Sequence, residues 1–164
     1  MASKVVSNTG PILHLTEVDL IKALFVFKDV FIPEEVKNEL VRNKINVPKR
    51  IRLVNIKPKF KDIAEILVNK FSLHLGEAQS IALSLQERAD YFLTDDLDAR
   101  TIANLHGIEA HGTVGIILRA FREKIINKET AIKKVHELYT ISSLFITKDI
   151  VNQIINSIND FKKR

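Results

Sequence analysis

The chain has 164 residues, no cysteine and a net charge of +5. That length suits one domain with its own core, and the absence of cysteine excludes disulfides and thiolate zinc sites and fits a reducing, cytoplasmic setting. No apolar run approaches a membrane span and no secretory signal follows Met1, while the positive balance leans towards a polyanionic partner.

In chain order, Val5-Val6-Ser7 reads as a short strand broken by Asn8-Thr9-Gly10-Pro11. Asn8 or Thr9 can cap the helix that follows, with Pro11 in its first turn. Helical spacing continues through Val18, Ile21, Leu24 and Phe25. Asp29 to Pro33 predicts a second buried strand. Pro33 then opens a helix with Glu34 and Glu35 early, Val36 and Leu40 on its apolar side, and Glu39 on its flank. From Asn43 to Lys61 the composition turns basic, with Lys44, Lys49, Arg50, Arg52, Lys57, Lys59 and Lys61 and no acid among them. Within it Ile51 to Ile56 alternates as a half-exposed strand does. Its lysines and arginines either discourage edge pairing or form a basic lip for a nucleic-acid backbone.

Phe60 to Phe71 returns to helical spacing, 72–76 is a connector, and Glu77 to Leu85 is a helix rich in small and apolar residues. Tyr91 to Thr94 then predicts a strand that ends in Asp95, Asp96 and Asp98, followed by a helix from Ala99 and a C-cap at Gly107. Ile108 to His111 makes a last strand, Gly112-Thr113-Val114-Gly115 leads into a helix over 116–123, and two amphipathic helices cover about 128–138 and 147–158. Strands that alternate with helices predict a parallel sheet covered on both faces. The acids behind Thr94 have two explanations. Asp95 can cap the helix with Asp98 in its first turn, or the group can hold a divalent cation through hard oxygen ligands.

The histidines His14, His74, His106, His111 and His136 lack metal-ligand spacing, and neither a GxSxG elbow nor a GxxxxGK[ST] loop is present. Nucleophile-and-base chemistry and nucleoside-triphosphate hydrolysis are therefore poor candidates. What remains at element ends is one amide and a set of carboxylates: Asn8, Glu39, Glu77, Asp95, Asp96 and Asp98. In a parallel sheet, Asn8 and the Asp95–Asp98 group can meet on one edge.

The ordered pieces Val5–Pro11, Ile32–Val36 with Glu39-Leu40, Leu75–Leu83, Phe92–Asp96 with Ala99-Arg100, and Gly112–Gly115 resemble the PIN-domain family. The likeness runs from residue 5 to about 125 and weakens over the final forty. It implies a three-layer α/β/α fold around a parallel sheet of four to five strands, with a core over about 4–125 and a helical extension over about 126–160 in one domain spanning 1–164. It further implies a Mg²⁺- or Mn²⁺-dependent ribonuclease, often the toxin of a toxin–antitoxin pair, with RNA as substrate. A small antitoxin and homodimerisation are expected on the same footing.

Matched motif by motif, the family's catalytic positions fall on Asn8, Glu39, Glu77 and Asp96. Asn8, Glu77, Asp95, Asp96 and Asp98 are the implied metal ligands, Thr94 and Arg100 the supporting residues, and Lys49, Arg50 and Arg52 the candidates for gripping RNA. Arg100, four residues after Asp96, suits an i,i+4 ion pair. Position 8 departs from the pattern, because Asn stands where the family has Asp and removes a negative charge from the cation's surroundings. Three alternatives follow: a PIN-like module that binds RNA or protein without cutting, a haloacid-dehalogenase-type phosphatase suggested by Asp96-Leu97-Asp98, and a receiver domain suggested by Asp95-Asp96. In the last two families the acids belong to the first strand, whereas here they lie mid-chain.

Overall fold

The computed structural model describes residues 4–161. Its strands are β1 (Lys4–Ser7), β2 (Asp29–Ile32), β3 (Ile51–Leu53), β4 (Tyr91–Leu93) and β5 (Ala110–His111). They form one five-stranded sheet in the order β3-β2-β1-β4-β5, every pair parallel. The helices are α1 (Thr9–Glu17), α2 (Glu34–Arg42), α3 (Pro58–Phe71), α4 (Leu75–Glu87), α5 (Leu97–Leu105), α6 (Thr113–Arg122), α7 (Lys128–Thr140) and α8 (Lys148–Asp160). The fold is the expected three-layer α/β/α sandwich.

The two-residue period of the strands distributes their side chains between two apolar layers. Val5, Val30, Ile32 and Leu93 join Ile12 and Leu15 of α1, Ile116 and Ile117 of α6, and residues of α7 and α8. Their neighbours Val6, Phe31 and Phe92 face the opposite layer, where α3, α4 and α5 pack. The C-terminal helices are not an appendage: Ala131, Val135 and Leu138 of α7 and Val151, Ile154 and Ile158 of α8 are buried in the same cluster as Val5. No helix among the described residues is long and apolar enough to cross a membrane.

Several boundaries differ from the sequence pattern. The helical spacing across 17–27 is interrupted, because Asp19 takes a left-handed φ of 53° and Leu20 N–H closes back on Leu15 O. A 3-10 turn over Ile21–Val26 then keeps Ala23, Leu24 and Val26 inward. α3 begins at Pro58, where the missing N–H costs nothing. α4 begins at Leu75, two residues before Glu77, with His74 as its N-cap and Glu77 closing back on the His74 backbone. α6 begins at Thr113 rather than Ile116. Gly107 does end α5: at φ 75° it lets Gly107 N–H reach Asn104 O and Ile108 N–H reach Ala103 O, a Schellman closure.

Candidate active site

The sheet order reverses between β1 and β4, so the chain leaves these adjacent parallel strands on diverging paths and opens a crevice at their C-terminal ends. Asn8 follows β1, and Asp95 and Asp96 follow β4. A cleft of about 860 Å³ opens here, with Asn8, Glu39, Glu77, Asp95, Asp96 and Asp98 all on its walls. Elements separated by most of the chain thus bring the acids together.

Their roles separate by what each oxygen touches. Asn8 is buried and caps α1: its Oδ1 accepts from Thr9 N–H at 2.9 Å, and its Nδ2 donates to Thr94 Oγ1 at 3.2 Å. Thr94, also buried, accepts a second bond from Asp96 N–H at 3.2 Å and so ties the two strand ends together. Asp96, not Asp95, caps α5, with its Oδ1 accepting from Ala99 N–H at 2.7 Å.

Asp95 turns the other way. Its Oδ1 accepts from Thr113 N–H at 2.7 Å, and its Oδ2 accepts from Thr113 Oγ1 at 2.5 Å and meets His14 Nδ1 at 2.7 Å. Gly112, the N-cap of α6, has no side chain to satisfy that helix, and Asp95 supplies the missing acceptor from the turn after β4. A Cβ on Gly112 would lie 2.8 Å from Asp95 Oδ1 and 2.7 Å from Arg100 Nη2, so this close packing needs glycine. Burial opposes the charge on Asp95, but the bonds from His14 and Thr113 outweigh it and hold the carboxyl below its ordinary value. With both oxygens engaged in this way, Asp95 buttresses the crevice. Arg100 donates from Nη2 to the Thr94 carbonyl at 3.2 Å, which replaces the expected pairing with Asp96.

Glu77 and Glu39 complete the wall. Burial first, and then the charge of Asp96, push the Glu77 carboxyl above its ordinary value; Glu39 adds a smaller push, and the bond from His74 N–H pulls the other way. Glu39 accepts a short hydrogen bond from Thr9 Oγ1. It lies so close over the first turn of α4 that a Cβ on Gly76 would be 2.7 Å from Glu39 Oε1. Asp98 is exposed in the first turn of α5.

Among the described residues, no three His, Asp or Glu side chains gather into a ready-made metal site. The Glu77–Asp96 pair is a different case. Mg²⁺ keeps several waters and is ordinarily bound through one or two carboxylates plus the substrate's phosphates, and an oxygen-only pair in mutual repulsion matches that demand.

The basic residues lie elsewhere. Arg50 reaches the carbonyls of Phe25 and Phe27, which precede β2, and Arg52 pairs with Asp29 Oδ1 at 2.7 Å and lies over the Phe31 ring. These partners lie before or within β2, next to the edge strand β3, and neither Lys49, Arg50 nor Arg52 lines the cleft. A strand lying in the cleft would have to run around the sheet to meet them. Three residues to which the sequence assigned no role in the site do border the acids: Thr9, His14 and, on the outer wall, Phe145. Of these His14 left a faint trace, four residues after Gly10 and so on the same face of α1.

A parallel α/β sandwich with an acidic crevice where its strand order reverses has the form of a nuclease-type hydrolase fold. A family model for the PIN domain matches residues 4–160, and the chain belongs to the PIN-domain family. The match extends through α7 and α8, beyond the stretch where the sequence motifs are distinct. PIN domains are generally nucleases and typically use divalent metal ions. No curated protein matches the chain.

Proposed function

We propose that the protein is a metal-dependent endoribonuclease that hydrolyses single-stranded RNA in this cleft, with Mg²⁺ or Mn²⁺ held by Glu77 and Asp96. The observation that carries this is that Glu77 and Asp96 both line the cleft at the crevice where an α/β sheet binds ligands, with the raised Glu77 carboxyl in support. Carboxylates that repel one another gain most from a cation between them. When bound, the cation would activate water and neutralise charge that builds on the phosphate. The protein's own part is positional: Asn8 and Thr94 lock the ends of β1 and β4, Asp95 pins α6, and Thr9 holds Glu39 at the rim. By family analogy the protein would act as the toxin of a toxin–antitoxin pair in the cytoplasm, with a small antitoxin as partner and a homodimer as its assembled form.

Asn8 favours a second reading, a PIN domain that binds RNA or protein without cutting. Its amide contributes no charge, and its oxygen already caps α1. Calorimetry with Mn²⁺ on wild type, Asp96→Asn and Asn8→Asp separates the two. Asparagine at 96 keeps the α5 cap and removes only the charge. Aspartate at 8 keeps the α1 cap and can accept from the Thr94 hydroxyl where Asn8 now donates. The expected result is binding by wild type, loss in Asp96→Asn and tighter binding in Asn8→Asp. Absence of binding in all three leaves the non-cutting module.

A further inference from the structure

We propose that Phe145, on the loop between α7 and α8, is a stacking platform for a base of single-stranded RNA next to the acidic cleft; this rests on the nuclease reading above. Phe145 is 92% exposed, the most exposed large apolar side chain described, yet its loop is not loose. Ser143 donates from its backbone N–H to both carboxylate oxygens of Glu17 at 3.1 and 3.2 Å, and from its Oγ to Glu17 Oε1 at 2.7 Å. Leu144 N–H is held by Ser142 Oγ at 3.2 Å. Leu144 and Ile146 pack against the main core, so the residue between them is held outwards by anchored neighbours.

The place matters as much as the exposure. Phe145 lines the acidic cleft together with Leu97 and Ile150, and it also lines a second depression of about 380 Å³ that holds Arg100 and His111. An aromatic face between the acidic cleft and a depression that holds Arg100 beside Asp95 suits a chain in which phosphates alternate with unstacked bases. Every base has a π-face, so such a platform selects single strands over duplex without reading sequence. A duplex keeps its bases stacked internally and offers this ring nothing.

The test is fluorescence anisotropy of labelled single-stranded oligo(U) in EDTA, where no cleavage occurs, with wild type, Phe145→Ala and Phe145→Tyr. Alanine is expected to weaken binding by roughly 5- to 150-fold, the range for losing one base–aromatic stack, and tyrosine to restore it. Mn²⁺ binding and melting temperature should be the same in all three, because the ring touches neither the Glu77–Asp96 pair nor the core. Equal RNA affinity in wild type and Phe145→Ala overturns the proposal. So does a shift of Phe145→Ala from dimer to monomer with RNA affinity unchanged, which would assign the ring to contact between copies. Wild type that binds Mn²⁺ but no oligo(U) overturns the platform while the metal pair stands; wild type that binds oligo(U) through Phe145 but no Mn²⁺ keeps the platform and removes the nuclease.

Discussion

Asp95→Ala is expected to lower stability by about 3 kcal/mol, which for a chain of this size moves the melting temperature down by roughly 6–12 °C. The substitution removes the acceptor for Thr113 N–H and Thr113 Oγ1 and the partner of His14, and it leaves the first turn of α6 without a cap that Gly112 cannot replace. Thr113 is fully buried and His14 nearly so, so water does not readily take over. The sign of the pH dependence follows from the depressed carboxyl. A folded-state value below the unfolded one contributes stability above the ordinary carboxylate range, and that stability is lost as pH falls through the lowered value. The gap between wild type and Asp95→Ala should therefore be widest near neutral pH and close on acidification. A gap that is small and flat with pH, measured by thermal melts across that range, would mean that the Asp95 bonds are replaced by solvent.

This dual use of adjacent aspartates explains what the sequence shows and what it hides. The strand-then-acid pattern at Tyr91–Asp96, the small-residue helix after Gly76 and the alternation of strands and helices make the sandwich and the edge of the site legible. Period-two strands and capped helices are local, and local patterns survive in one dimension. Which acid does what is not local. Asp95 and Asp96 are neighbours in sequence, yet one reaches across to Thr113 and the other caps its own helix, Ala99. The choice depends on a glycine N-cap 17 positions after Asp95, a relation that no periodicity encodes. The roles of His14 and Thr9 in the site were hidden for the same reason, since each matters through a partner in another element.

The basic stretch is the opposite case. Lys44 to Lys61 is conspicuous as composition, but a run of like charge says nothing about which edge of the sheet it will decorate. Arg50 and Arg52 stay near the start of β2, where carbonyls, Asp29 and aromatic rings engage them. Phe145 carried no signal at all, because an aromatic in a short inter-helix loop looks like core until its neighbours are seen to take the inward positions.

Glu77→Gln is expected to abolish Mn²⁺ binding while leaving the metal-free protein at least as stable as wild type, two effects of opposite sign from one atom change. Glutamine keeps an oxygen for His74 N–H, so the cap of α4 survives, and it removes the charge that burial and Asp96 disfavour. Loss of a direct ligand should exceed the roughly 10–100-fold effects typical of residues that only support one. In wild type, stability from a raised carboxyl is present below its unfolded value and is lost as pH rises through the raised folded value. The advantage of the glutamine variant in EDTA should therefore grow from acid towards neutral pH, and wild-type Mn²⁺ affinity should climb over the same interval as the competing proton leaves. A Glu77→Gln protein that melts well below wild type in EDTA would show that the carboxylate serves α4 and not a cation. Asp96→Asn supplies the internal control: with its charge gone the push on Glu77 weakens, and the pH interval for the remaining carboxylate should move down. If that interval stays where it is, the two side chains do not share a site, and the metal pair fails even where calorimetry detects binding.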